Sequence, residues 1–327
     1  MANLTNFAAI DVGQLIVYKE LIEILKQNLV FYKMGKMHKV QKGANSKTVY
    51  FRGFNKMSLA TAALTEGVVP AGSSLSMYNV HATLSQYGDF VTITDLAEFL
   101  YDRSMIRDAS EVLGIQSSET IDNLIMNVVA AGTNVVYGDG TVSARGSVTS
   151  SMKLTSTLIT RAVRFLERNN VKKYTVGGII KDAYALVAHP DTLYDIRNDS
   201  NFINAVNYSS PTPSNPDRGD LFTGELGYWM GARIVSSTAA PVFAGAGAGS
   251  PAATVYGVLV FGEGAYAVSE LDGGLETYIH TGGVQDTSNP LEQYSTVGWK
   301  WAGVSAILDN HRLVRLEVSA TLTGTSA

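Results

Sequence analysis

Several residue groupings in this 327-residue chain have the makings of a reactive site. His189-Pro190-Asp191 sets an imidazole and a carboxylate two residues apart, close enough to share a proton or a cation. The simpler reading is a strand end followed by a helix start, because Pro190 suits a first helical turn. The remaining histidines, His38, His81, His280 and His311, do not pair at metal-binding intervals. Gly262-Glu263-Gly264-Ala265-Tyr266-Ala267 follows an apolar run and matches the glycine skeleton of a dinucleotide fingerprint. That fingerprint needs a helix next, to aim its N-terminus at a pyrophosphate. Here Gly273-Gly274 and β-rich residues follow, so a tight turn is expected and no cofactor. Asp191, Asp195 and Asp199 stand four apart and read as a solvated helix face. Trp299 and Trp301 flank Lys300, a pair suited to a sugar or nucleotide but more simply to packing on one strand face. Gln86, Tyr87, Gly88 and Asp89 in SQYGDFVTITDLAEF (85–99) combine polar and aromatic groups as an active site would.

The rest of the chemistry is excluded more directly. There is no cysteine, hence no disulfide, thiolate nucleophile or thiolate metal site. Ser-nucleophile elbows, phosphate-binding loops and kinase motifs do not occur. The sequons at Asn3 and Asn207 are expected to be accidental, since MANLTNFAAIDVGQ does not read as a secretory signal. No stretch approaches the ~18 apolar residues of a membrane span. A soluble protein made in the cytoplasm is expected. Net charge is −4, with no basic block to mark a nucleic-acid reader. Charged residues make up only 17%, against the ~25% usual for soluble domains. Such a surface suits contact with other chains.

The elements that would position these residues can be read in order. Residues 14–31 space Leu15, Tyr18, Leu21, Ile22, Leu25 and Leu29 as one helix face, opposite Lys19, Glu23 and Lys26. Lys47–Phe54 alternates as a strand, residues 58–74 are small and Gly-rich, and 75–94 are extended again. In the last segment one alternating set is Tyr78, Val80, Ala82 and Leu84. A long two-stranded hairpin with a wide tip is the simplest arrangement for 47–94. A two-stranded ribbon is marginal alone, so an outside partner is expected to hold it. Asp95 and Glu98 have capping-box spacing. Residues 104–131 read as a long helix with Ile121, Leu124, Ile125, Val128 and Val129 on one face, a repeat at Met105, Ala109, Val112 and Leu113, and a possible break at Gly114. A small hairpin at 135–148 turns at Asp139-Gly140, and a helix follows at 155–169. Residues 184–189 form a buried strand. Two flexible loops, 207–220 and 244–253, lie among further strands in 184–265, and strands return after 266.

This order, with LTEGVVPAG (64–72), SQYGDFVTITDLAE (85–98), LGIQSSETID (113–122), AHPDTLYDIR (188–197), GELGYWMGARIV (224–235) and NPLEQYSTVGWKW (289–301), resembles the major capsid proteins of tailed bacteriophages. Within them it is similar to the podovirus-type major coat proteins, which share the Hong Kong ninety-seven capsid fold. The resemblance implies an α+β fold. Its parts would be an N-terminal arm at 1–46, an extended β-hairpin loop at 47–94, a peripheral domain with the spine helix at 95–183, an axial α/β subdomain at 184–265, and returning peripheral strands at 266–327. It implies a virion shell protein without catalytic, cofactor or metal residues, assembled in the host cytoplasm as hexamers and pentamers around double-stranded DNA contacted non-specifically. A separate scaffolding protein is expected, because no long charged helix precedes the arm; a portal protein is expected as a further partner, and a decoration protein is conceivable on the exposed loops. No membrane is involved. Hinge or subunit-interface roles are expected of Gln86, Tyr87, Gly88, Tyr78, Val80, Leu84, Tyr18, Ile22 and Leu25. Two rival readings stay open: an encapsulin-like compartment shell, and a nucleotide-cofactor enzyme resting on Gly262 and Gly264.

Overall fold

A computed structural model describes residues 29–40, 46–61, 63–64, 66–69, 72–100, 104–174, 183–200, 202, 225–280 and 293–321. Most of the helix expected at 14–31, with Tyr18, Ile22 and Leu25, lies outside these residues, as does the loop at 207–220.

The described chain runs α1 (Phe31–Met34), β1 (Lys36–Val40), β2 (Thr48–Phe54), β3 (Met77–Thr83), β4 (Ser85–Thr94), α2 (Asp95–Leu100) and α3 (Met105–Ala130). It continues with β5 (Val135–Tyr137), α4 (Ser156–Arg168), β6 (Tyr184–Ala188), α5 (Pro190–Arg197), β7 (Glu225–Trp229), β8 (Ala232–Ser236) and β9 (Val242–Phe243). It closes with β10 (Val255–Phe261), β11 (Tyr266–His280), β12 (Tyr294–Ile307) and β13 (Leu313–Val318).

Among the described residues these strands form three sheets. One is mixed, in the order β5-β13-β10-β6-β8-β7 with β9 on β10; the second is β1-β11-β12-β4; the third is the pair β2-β3. The mixed sheet draws β5 and β13 from either side of the 184–265 segment, so it extends past both of those boundaries. Its central strands are apolar throughout because both faces are covered. Tyr184, Leu186, Val258, Val260 and Leu316 face α4 and α5, while Ala185, Val187, Leu259 and Phe261 face α3.

The long helix α3 is continuous through Gly114, with no break. Its upstream face differs from the expected one. Ser110, Leu113, Gly114, Ser117 and Ser118 are buried, whereas Val112 points outward. Small residues let the helix approach β12, and Ser110, Ser117 and Ser118 return their hydroxyls to carbonyls one turn back. Farther along, Ile121, Ile125 and Val129 bury as the periodicity requires, against Val297, Trp299 and Trp301 of β12.

The 47–94 segment is not one hairpin. β2 pairs with β3, from Thr48↔Thr83 to Phe54↔Met77. The chain then leaves the ribbon, and β4 pairs antiparallel with β12, from Thr94↔Tyr294 to Ser85↔Gly303. The backbone N–H of Leu84 donates to the Lys47 carbonyl at 2.8 Å and closes the ribbon at that point. Local alternation cannot tell a hairpin partner from a strand two hundred residues away, so the two are indistinguishable in sequence. The 135–148 segment also differs. Its Gly-rich turn makes only one bridge, Tyr137↔Val142, and β5 pairs instead with β13. The glycine loop at 244–253 is tied down by main-chain bonds: Gly247 N–H to Ala253 O, and Ala248 N–H to Val148 O, both 2.8 Å.

Candidate assembly surfaces

The ribbon β2-β3 rests on the second sheet through its inner face. Val49, Phe51, Val80 and Ala82 pack on Ala267, Ala306 and Leu308. Tyr78 lies opposite Gly53, and its ring occupies the space a Cβ there would need. Beyond this base the apolar side chains have no cover. Leu59, Leu64, Val68, Val69 and Leu75 are exposed, Val69 at 91%. The same holds past the ribbon: Phe90 and Val91 on β4, then Leu96, Phe99 and Leu100 on α2, a helix with no buried residue at all. Single exposed apolar residues are ordinary, but a run of them along one arm and its neighbouring helix marks a contact surface.

Gln86, Tyr87 and Gly88 sit inside β4, opposite Ala302, Trp301 and Lys300. Tyr87 stacks on Trp301 with ring centres 6.1 Å apart. A Cβ on Gly88 would lie 2.5 Å from the Trp299 carbonyl oxygen, so only glycine fits there. The adjoining Asp89 is fastened to the long helix. Gln116 Nε2 donates to Asp89 Oδ2 at 2.7 Å, and Trp299 Nε1 donates to Gln116 Oε1 at 3.2 Å. That donation by Gln116, with the Phe90 N–H, holds the Asp89 carboxyl below its ordinary range. The segment with the make-up of an active site is thus an exposed edge strand of the sheet, tied at Asp89 to the long helix. At its far end, Thr94 caps α2 by accepting from the Ala97 N–H at 3.4 Å; Asp95, the expected cap, instead accepts from Leu96 at 2.7 Å.

The other chemical candidates resolve into structure. Gly262-Glu263-Gly264 forms a turn between β10 and β11, with Gly264 at φ 73 and no helix following. Trp299 and Trp301 are buried beneath α3. His189 is the N-cap of α5, its Nδ1 accepting from the Asp191 N–H at 3.3 Å. The aspartates at 191, 195 and 199 are not a solvated face. Asp191 accepts from the Tyr256 hydroxyl at 2.8 Å, Asp195 from the N–H and hydroxyl of Thr321, and Asp199 from the Ser156 N–H at 2.8 Å. One short helix and the residues just past its end therefore pin β10, the chain after β13 and the start of α4. Among the described residues no cluster of three or more His, Asp or Glu is arranged for a metal, and no helix is long and apolar enough to cross a membrane.

Two buried acids carry no signal in the sequence. Asp122 on α3 is 2% exposed and accepts from the Tyr32 N–H at 3.1 Å, with the N–H groups of Val30 and Phe31 also directed at it. It holds the chain where it emerges from the N-terminal segment. Burial outweighs those bonds and pushes its carboxyl up to about 6. Glu317 on β13 is fully buried, with Arg145 in a two-pronged contact at 2.7 Å and Arg315 Nε at 2.8 Å.

A fold of two stacked sheets around one long helix, carrying a projecting ribbon with bare apolar flanks, defines a subunit made for assembly with its own kind. The chain belongs to the phage capsid protein family, whose model matches residues 78–309. Its fold is similar to that of the capsid of Ralstonia phage GP4, at 15% identity over 92% of this chain and 93% of that one, with a TM-score of 0.69. It is similar also to the cyanophage Pam1 capsid, at 15% identity, 85% and 86% coverage and a TM-score of 0.65. A third likeness is to the SrpI encapsulin complex of Synechococcus elongatus, at 13% identity, 90% and 89% coverage and a TM-score of 0.53. No curated protein matches.

Proposed function

We propose that this capsid protein assembles as hexamers and pentamers into an icosahedral shell enclosing double-stranded phage DNA, and that it works by assembly without catalysis. The observation that carries this reading is the exposed apolar run on the ribbon tip, β4 and α2, which costs solvation in a lone subunit and is relieved by contact. The tip lies over an adjacent copy, and Tyr78, Val80, Leu84 and Gln86–Gly88 position that arm. Tyr18, Ile22 and Leu25 belong to an arm that packs beneath a neighbour. The mixed sheet with α4 and α5 crowds the centre of each capsomer. Separate scaffolding and portal proteins complete assembly in the host cytoplasm.

Negative-stain electron microscopy of the purified protein tests this: shells or capsomers are expected. Deleting residues 60–73 should leave a folded subunit that forms no normal shells; normal shells would refute the role given to the arm. The encapsulin likeness supports a second reading, a shell holding protein cargo. Nucleic acid in shells purified from the natural host decides for the first, and a co-purifying enzyme for the second.

A further inference from the structure

The outer face of α4 carries Thr157, Thr160, Arg161, Arg164 and Arg168, all exposed, behind a buried face of Leu158, Ile159, Ala162, Val163 and Leu166. Between this face and the β7-β8 turn runs a groove of roughly 710 Å³. Its described lining combines the threonine hydroxyls, Arg161 and Arg164 with Trp229 and Met230, and includes no carboxylate. Of the acids nearby, Glu167 pairs with Lys173 at 3.1 Å and Asp199 accepts from Ser156 N–H. Asp139 accepts from Thr141 N–H at 3.0 Å and also feels the charge of Arg161, so Arg164 and Arg168 are the arginines without a described acid beside them. Arg161, Arg164 and Arg168 stand in a row along one helix face, spaced three and four residues apart.

The apolar wall is equally pointed. Met230 and Gly231 form the two-residue turn between β7 and β8 with φ 43 and φ 97. Both positions of such a turn need positive φ, where Asn or Gly is usual and a longer side chain costs about 1–2 kcal/mol. Met230 accepts that cost while remaining 63% exposed, so the fold itself gains little from its side chain. Trp229 beside it lines the groove but is largely buried, with its indole N–H on Thr160 Oγ1 at 3.3 Å.

We propose that this groove binds the phosphodiester backbone of nucleic acid. The arginines step along the helix by about 4.5 and 6 Å, at ~1.5 Å per residue. That ladder suits a regular succession of negative charges better than a lone carboxylate. The guanidinium forks and the Thr157 hydroxyl take phosphate oxygens, and Met230 lies against the sugars; the Thr160 proton is already given to the Ser156 carbonyl at 2.9 Å. Such contacts hold the backbone and read no sequence. Only the origin of the nucleic acid, the shell interior, rests on the capsid reading.

The test is fluorescence anisotropy of a labelled 30-base-pair duplex with unassembled full-length subunit across a KCl series. Replacing all three arginines, R161Q/R164Q/R168Q, should flatten the plot of log affinity against log salt by up to about 2.7, at ~0.9 for each phosphate no longer neutralised. Met230→Gly should weaken binding about threefold with the slope unchanged, since it removes no charge. If the triple variant fails to fold by circular dichroism, Arg164→Gln alone should flatten the slope by about 0.9. An unchanged slope overturns the proposal. So does displacement of a bound acidic peptide, polyglutamate, in preference to the duplex, which would assign the groove to an acidic protein partner. The readout needs no shell, so a failure of shell formation in the microscope leaves it unaffected.

Discussion

Asp122 gives a prediction whose sign follows from its surroundings. Its carboxyl stands at about 6 in the folded subunit against an ordinary 3.8, because burial disfavours the charge more than the N–H groups of residues 30–32 favour it. Below pH 3.8 the acid is protonated whether the chain is folded or not. Between there and about pH 6 the unfolded chain has released its proton while the folded one retains it, and the folded state loses stability as pH rises. A shift of this size, at about 1.4 kcal/mol per unit, amounts to about 3 kcal/mol. Asp89 and Asp139, held below the ordinary value, act in the opposite sense at the acid end of the curve, so the wild-type curve alone does not isolate the effect. The difference between Asp122→Asn and wild type does. Urea unfolding of the unassembled subunit at about pH 4, 5, 6 and 7 should show the variant gaining on wild type by about 2.4 kcal/mol across the series. A difference that stays flat with pH would mean that Asp122 is ionised throughout, and that water or a cation reaches it.

Three further outcomes follow from contacts described above. Gly88→Val should lower subunit stability by more than the roughly 1–3 kcal/mol usual for overpacking, because its Cβ meets a backbone oxygen that cannot swing aside; a thermal midpoint equal to wild type would remove the steric argument. Glu317→Gln should cost about 3 kcal/mol in urea, since Arg145 and Arg315 then share a buried site without an anion; a cost under about 1 kcal/mol would show the pair to be independently solvated. Asp199→Ala should cost about 1 kcal/mol through the missing acceptor for Ser156 N–H, and Asp199→Asn should restore most of it; equal losses in both would point to charge and not capping.

What was legible in the sequence was what short range decides. The 3.6-residue period placed α3 and α4, Pro190 placed the start of α5, and the continuous apolar run placed β6. The glycines at 262 and 264 read as a turn, and the tryptophan pair as packing. Contacts across long sequence separation were not legible. Nothing near Ser85–Thr94 names Tyr294–Gly303 as its partner, and nothing near Asp122 announces that three amides ninety residues earlier will point at it. The aspartates at 191, 195 and 199 show the same limit. A four-residue interval suggests a shared face, which only Asp191 and Asp195 keep because α5 ends at Arg197, while the acceptor roles of all three depend on where Tyr256, Thr321 and Ser156 come to rest. Val112 fell off the predicted face because serines and a glycine, not large apolar residues, make the closest approach to β12.

The register of the second sheet settles how a pull on the arm is resisted. Val40, where β1 ends, stands beside Leu271; the adjacent Glu270 stands beside Gly303, and Gly303 beside Ser85, where β4 begins. The chain thus departs toward the ribbon from one edge of the sheet and returns at the opposite edge in nearly the same row, about 14 Å away at ~4.8 Å per strand. From that row β1 runs toward the level of Ala306 of β12 and β4 toward Tyr294, so the two anchors lie on opposite sides of it. A pull along the strands in either direction loads one of them in shear, where its hydrogen bonds must slip together. A neighbour gripping the ribbon is held from both edges of the sheet.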